Sequence, residues 1–161
     1  EYELAIQWLC DAGLVHKVYR VAKPGLPLRA YQEESAFKLF MLDTGLFAAQ
    51  SHLPLEILLQ GSALFEEAKG ALTEQYVAQE LHVRKDLEVF YWSSETSHAE
   101  IDFLIQRAEA IYPLEVKAVE NLQSKSLRAF RDKYSPPRCY RTSLSPYRDE
   151  GWLVNIPLYA L

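Results

Sequence analysis

The sequence predicts an α/β (α+β) fold, because helical and strand patterns alternate along the chain. Two observations carry this prediction. Around residues 63–84 and 124–134, apolar residues recur at helical spacing. Between residues 87 and 117, branched and aromatic residues form short runs separated by polar links, which is typical of strands. The second part of the chain therefore reads as helix, three strands, helix and further strand.

The first part, residues 1–60, is predicted to be a small unit or linker segment. Its elements are a helix over 3–13 ending at Gly13, a strand over 15–22, a proline-containing loop over 23–35, a strand over 37–43 and a helix or turn capped by Asp43. Helix, strand, long connection and strand together are compatible with a winged-helix-like segment.

The second part, residues 61–161, is predicted to be the main domain. Its elements follow a short helical piece over 54–60 and comprise a helix over 63–84, strands over 87–92, 98–106 and 111–117, a helix over 124–134, and late strands over 138–144 and 151–156. The short polar link RAEA between the second and third strands predicts a hairpin.

Composition limits the class of protein. The chain has 161 residues, 49% hydrophobic and 24% charged, which is typical of a soluble globular protein. No apolar run reaches the length of a membrane span, and the two cysteines, Cys10 and Cys139, lack metal-type spacing, so we expect a cytoplasmic protein with free thiols. The missing initiator methionine suggests a fragment, and no nucleotide-binding loop motif is present.

Charged residues interrupt two of the predicted strands. Asp102 lies in HAEIDFLIQ, and Glu115 and Lys117 lie in IYPLEVK. Strand alternation predicts Ile101, Phe103 and Ile105 on one face and Asp102 with Leu104 on the other. If the strands pair, the three charged residues can converge, and two nearby carboxylates call for a cation such as magnesium. The alternative is an ordinary solvent-facing side of an antiparallel sheet.

The helix before these strands offers a further acid. Glu74 and Glu80 both have apolar neighbours at helical spacing, so the pattern does not choose between them. For each, a glutamate at the exposed rim of the helix is the alternative.

A basic stretch follows the third strand. Between Lys117 and Arg141 there are seven basic and two acidic residues, and Lys125, Arg128 and Arg131 lie on one predicted helix. This local excess can bind phosphates, whereas the net charge of −5 argues against non-specific coating of nucleic acid. A solvated helix face is the alternative.

The order of these residues resembles the PD-(D/E)XK nuclease superfamily, whose restriction-endonuclease-like core is αβββαβ. More closely, the chain resembles the domain of unknown function found at the C-terminal end of many bacterial and archaeal AAA+ ATPases. The strings that carry this likeness, in family order, are WLCDAGLVHKVYRVAKPGLPLRAY, SAFKLFMLDTGLFAA, GALTEQYVAQEL, FYWSS, AEIDFLI and PLEVKA. They cover nearly the whole chain.

The resemblance implies a site and a reaction. Asp102, Glu115 and the Val116 carbonyl would hold Mg²⁺ or Mn²⁺, Lys117 would position the attacking water, and Glu74 would assist the metal or the water. The activity implied is metal-assisted hydrolysis of a phosphodiester in DNA or RNA. A linked N-terminal ATPase module would be absent from this chain. The alternative is a catalytically silent module that binds nucleic acid or protein and regulates the linked ATPase.

Overall fold

The chain folds into a mixed α/β structure. The computed structural model describes residues 2–52, 66–96, 98–118 and 124–161. Within these ranges, four α-helices surround one eight-stranded mixed sheet. None of the described helices combines the length and the apolar character that a membrane span requires.

The secondary structure has the following bounds. The helices are α1 (Glu3–Asp11), α2 (Thr44–Gln50), α3 (Glu66–His82) and α4 (Lys125–Tyr134). The strands are β1 (Val15–Val21), β2 (Gln32–Met41), β3 (Glu88–Ser93), β4 (Glu100–Arg107), β5 (Ala110–Lys117), β6 (Cys139–Ser143), β7 (Arg148–Asp149) and β8 (Leu153–Pro157). Their order in the sheet is β2-β1-β3-β4-β5-β6-β8-β7, with β1–β3, β5–β6 and β6–β8 parallel and the other pairs antiparallel.

The elements predicted within the described ranges are present, with differences at some boundaries. Strand β2 begins at Gln32, inside the predicted loop, because Glu33 pairs with Arg20 of β1 through a 3.0 Å ion pair. Asp43 caps α2 as predicted, since its Oδ1 accepts a hydrogen bond from the Leu46 amide at 2.7 Å. Strand β7 was not predicted, and the helical piece predicted over 54–60 lies outside the described residues.

Helices α3 and α4 cover opposite faces of the sheet. From α3, the residues Val77, Ala78 and Leu81 pack with Phe103 of β4 and Leu114 of β5. The α4 cluster packs on the other face; its buried members are Val21, Leu28, Phe90, Trp92, Ile101, Leu104, Leu127, Phe130, Cys139 and Leu153. The result is a three-layer arrangement in which the sheet is apolar on both sides.

The N-terminal segment continues the sheet of the rest of the chain. Strand β1 pairs with β3 in parallel through Arg20 and Tyr91, and β2 forms the edge beyond it. The segment predicted as winged-helix-like therefore contributes two strands to the common sheet. The division into units at residues 60 and 61 stays a prediction, because residues 53–65 lie outside the described ranges.

Helix α3 holds this segment through polar side chains. Gln75 is 2% exposed. Its side-chain Oε1 accepts a hydrogen bond from the backbone amide of Met41 at 2.9 Å, and its Nε2 donates to the Met41 carbonyl at 2.8 Å. One turn further, Gln79 accepts from the Thr44 amide at 2.9 Å. These bonds satisfy backbone groups at the end of β2 that the sheet does not pair.

Candidate active site

A β-bulge sets the position of Asp102. In the β3–β4 pair, Phe90 lies opposite Leu104 and Trp92 opposite Ile101, so Asp102 and Phe103 together face Tyr91. The alternation predicted from the sequence is therefore wrong here. Ile101 and Leu104 pack in the α4 cluster, whereas Phe103 packs in the α3 cluster. Because of the extra residue, Asp102 does not share the sheet face on which Leu104 packs.

The Asp102 carboxylate lies where strands β4 and β5 stop pairing. Their register runs from Arg107–Ala110 to Phe103–Leu114, and the next step would place Asp102 opposite Glu115. Instead, Asp102 Oδ2 accepts a hydrogen bond from the Val116 amide at 2.7 Å. The side chain thus takes the place of a backbone partner at the opening between the two strands.

The environment of Asp102 disfavours its charge. Burial raises the pKa of this carboxyl group to about 7, and the neighbouring carboxylate of Glu74 adds to the rise. The Val116 amide and the Lys38 ammonium oppose it, and Glu115 contributes a smaller rise. The ionised form of Asp102 is therefore unfavourable near neutral pH. A bound cation or a proton would stabilise this carboxyl group.

Glu115 and Lys117 form an ion pair on β5. Glu115 is 5% exposed, and its Oε1 lies 3.0 Å from Lys117 Nζ. Its Oε2 is buried and has no hydrogen-bond partner among the residues that the structure describes. On the neighbouring parallel strand Arg141 lies in register with Glu115, and its guanidinium donates to Asn155 Oδ1 at 3.0 Å. A buried carboxylate with one uncommitted oxygen is a ready donor to a cation.

Glu74 forms an ion pair with a residue that is not among the predicted site residues. Lys38 Nζ of β2 lies 2.8 Å from Glu74 Oε1 and 2.6 Å from Glu100 Oε1. A signal was present in the sequence, because Lys38 interrupts the apolar run FKLFML much as Asp102 interrupts its own strand. Lys38 and Asp102 lie on β2 and β4 and are far apart in the sequence. Only the tertiary structure brings their charges close enough to interact. The second candidate acid, Glu80, instead lines a cavity of about 300 Å³ with Arg84 and Tyr112.

The chemistry of the donor set can be compared with that of a divalent cation. In the part of the chain that is described, no group of three His, Cys, Asp or Glu side chains could hold a metal ion. Asp102 and Glu115 are nevertheless two hard oxygen donors, and the charge of Glu115 contributes to the raised pKa of Asp102. Magnesium commonly takes one or two carboxylates and completes its shell with waters and substrate phosphates. Asp102 and the unpartnered Oε2 of Glu115 are oxygen donors of the type that such a cation takes, whereas Glu74 is paired with Lys38.

The predicted nucleic-acid-binding residues Lys125, Arg128 and Arg131 lie on α4. Ser124, which precedes the helix, accepts a hydrogen bond from Arg141 Nη1 at 3.3 Å. Arg141 lies in register with Glu115, so the N-terminal end of α4 adjoins the strand next to Glu115. Lys125 and Arg128 are exposed. Arg131 is engaged by Asp132 at 2.8 Å and lies 4.5 Å from the centroid of the Trp152 ring.

Comparison with known families assigns the chain to a class. Residues 69–159 match the family described as domain of unknown function DUF4143, and residues 1–56 match a second one, DUF8612. Since the first match covers more than half of the chain, this protein belongs to the DUF4143 family. No curated protein and no solved structure matches the chain.

Proposed function

We propose that this chain is a PD-(D/E)XK nuclease-like domain that hydrolyses phosphodiester bonds of DNA or RNA with the help of Mg²⁺ or Mn²⁺. One observation carries the proposal. The Asp102 carboxylate accepts a hydrogen bond from the amide of Val116, the residue between Glu115 and its ion-pair partner Lys117 on β5. The resemblance assigns this order of acid, acid and lysine to phosphodiester hydrolysis.

The electrostatics of the site support a cation. A pKa of about 7 at Asp102 reflects burial together with the charges of Glu74 and Glu115. Asp102 and Glu115 would hold a divalent cation, and its positive charge would offset the repulsion between their carboxylates. The Val116 carbonyl, which the resemblance assigns to the same site, would add a neutral oxygen.

Each side chain then has a defined task. When bound, the cation lowers the pKa of water and polarises the phosphoryl oxygen. Asp102 and Glu115 hold negative charge in place, and the Val116 amide fixes the Asp102 carboxylate in orientation. Lys117, 27% exposed at its side chain and 3.0 Å from Glu115, can donate to the attacking water or to a phosphate oxygen. Glu74, held by Lys38, acts on the site through its charge.

Nucleic acid is the proposed substrate because the helix that follows β5 carries exposed basic residues. Lys125 and Arg128 are exposed on α4, whose N-terminal end adjoins Arg141 and hence Glu115. Such cations contact the phosphate backbone without reading sequence. By its resemblance, the domain would be linked to an N-terminal AAA+ ATPase in the cytoplasm. That ATPase would position the nucleic acid for the domain.

A second function is favoured by a different observation. Two of the acids are already neutralised within the chain, Glu115 by Lys117 and Glu74 by Lys38, and the net charge is −5. Such a site can persist without a cation. The alternative is therefore a catalytically silent module that binds protein or nucleic acid and regulates the linked ATPase.

Metal binding and cleavage test both functions. Calorimetric titration with Mn²⁺ and incubation with labelled single- and double-stranded DNA and RNA compare the wild type with Asp102→Asn and Glu115→Gln. We expect each substitution to weaken Mn²⁺ binding and to slow cleavage at least about tenfold, since a lost carboxylate should cost no less than a lost outer-shell partner. The control is Glu109→Gln, an exposed carboxylate in the turn between β4 and β5.

The outcomes separate the two functions. Cleavage that is equal in the wild type and Asp102→Asn would remove the nuclease proposal. Oligonucleotide binding without metal-dependent cleavage would support the silent module. Equal Mn²⁺ binding in the wild type and both site variants would show that the cation lies elsewhere.

A further inference from the structure

Lys38 enters the candidate site from the N-terminal segment. It lies on β2, the edge strand of the sheet, and reaches Glu74 on α3 and Glu100 at the start of β4 at 2.8 and 2.6 Å. Its ammonium also lies 5.2 Å from the centroid of the Tyr91 ring, and Tyr91 is the residue opposite the Asp102 bulge. One cation thus connects three elements around Asp102.

The charge of Lys38 is fixed by this environment. Burial alone would lower the pKa of its ammonium, but the carboxylates of Glu74 and Glu100 raise that pKa well above its usual range. Its side chain is 26% exposed, as is that of Glu74, so solvent screens the pair only in part. Lys38 therefore carries a permanent positive charge next to the proposed cation site.

We propose that Lys38 is a positioning residue of the candidate site, which acts through Glu74 to withhold that carboxylate from divalent cations and to set the charge of the site. This inference rests on the proposed function, because it concerns the same carboxylates. It assigns the N-terminal segment a part in the site. With Lys38 in place, Asp102 and Glu115 remain for one cation, and the lower negative charge favours an anionic phosphodiester.

Coulomb's law gives the expected direction of each substitution. Lys38→Met leaves Glu74 uncompensated, and both residues act on the charge of Asp102. Mn²⁺ should therefore bind more tightly to this variant, by about tenfold. Glu74→Gln leaves Lys38 with less compensation, so Mn²⁺ should bind more weakly by a similar factor. The double variant restores the charge of the wild type and should return the affinity close to the wild-type value.

The experiment is a calorimetric Mn²⁺ titration of the full chain in the wild type, the two single variants and the double variant. Lys38→Arg keeps the charge and should behave as the wild type. Lys17→Met is the control, because Lys17 lies on β1 of the same segment and contacts the Phe37 ring at 4.8 Å. Thermal unfolding is recorded for each variant. A purely structural ion pair would lower the unfolding temperature of Lys38→Met and leave Mn²⁺ affinity unchanged.

The results separate this inference from the proposed function. Wild-type binding with no change in Lys38→Met overturns the inference and leaves the function standing. Binding that is found only in Lys38→Met supports the inference and argues against a metal-dependent wild type. If no variant binds Mn²⁺, both fail. Should Lys38→Met not fold, weaker binding in Glu74→Gln than in the double variant supports the inference, and equal binding in these two overturns it.

Discussion

Asp102→Asn is expected to make the folded chain more stable than the wild type at pH 8, by about 2 kcal/mol. Burial and the charge of Glu74 raise the pKa of Asp102 from its usual 3.8 to about 7. A rise of this size corresponds to roughly 4 kcal/mol of unfavourable free energy for the ionised form. Partial exposure of the residue screens the charge, so we take about half of that value. Asparagine keeps the acceptor for the Val116 amide and carries no charge.

The gain should depend on pH in a defined window. The folded pKa of Asp102 lies above the unfolded one, so between about pH 7 and pH 4 the folded chain takes up a proton that the unfolded chain does not. Wild-type stability therefore rises as the pH falls through this window. The advantage of Asp102→Asn should be full above pH 7 and absent below pH 4. Urea denaturation of both proteins from pH 4 to pH 8 measures it.

Added Mn²⁺ provides the complementary readout. A cation that binds only the folded state stabilises it by mass action, so a given Mn²⁺ concentration should raise the unfolding temperature of the wild type more than that of Asp102→Asn. Glu109→Gln should follow the wild type in both measurements. Lower stability of Asp102→Asn at every pH would contradict this prediction, since it would mean that the Val116 amide and Lys38 outweigh burial.

Gln75→Met is expected to lower the free energy of unfolding by about 3 kcal/mol. Gln75 is 2% exposed, and its amide makes both hydrogen bonds to the backbone of Met41 at 2.9 and 2.8 Å. Methionine has a similar shape but leaves the Met41 amide and carbonyl without these partners, and each unsatisfied buried group costs roughly 1–3 kcal/mol. Urea denaturation measures the loss.

The matched control for this prediction is Gln79→Met. Gln79 lies one turn away on the same helix and makes one such bond, to the Thr44 amide at 2.9 Å, so its loss should cost about 1 kcal/mol. Limited proteolysis should cut the N-terminal segment faster in Gln75→Met than in Gln79→Met. Equal effects of the two substitutions on stability would show that Gln75 does not hold β2 against α3.

Much of the local structure was predictable because its causes are local. Helix α4 follows from the spacing of Leu127, Phe130 and Tyr134, and the cap of α2 follows from Asp43. The β4–β5 hairpin follows from a short polar link between two apolar runs. The start of β2 was less predictable, because its first residues form a strand only through pairing with β1.

The candidate site was predictable as a set of residues and less so as a geometry. Charged residues inside apolar runs identified Asp102, Glu115 and Lys117, but strict alternation gave the wrong face for Asp102. A bulge depends on how two strands register with each other, which the pattern of either strand alone does not contain. Lys38 carried the same local signal and gained its meaning only from the sheet order.

By itself, the sequence determined the order of helices and strands and the chemical types available to a site, since both depend on neighbours along the chain. Three further features depend on the tertiary structure. Strands β1 and β2 extend the common sheet, the Asp102 carboxylate accepts a hydrogen bond from the Val116 amide, and Lys38 neutralises Glu74. The physical reason is that burial and Coulomb interaction depend on distance in space. Residues 38, 74 and 102 become neighbours only when the sheet has formed.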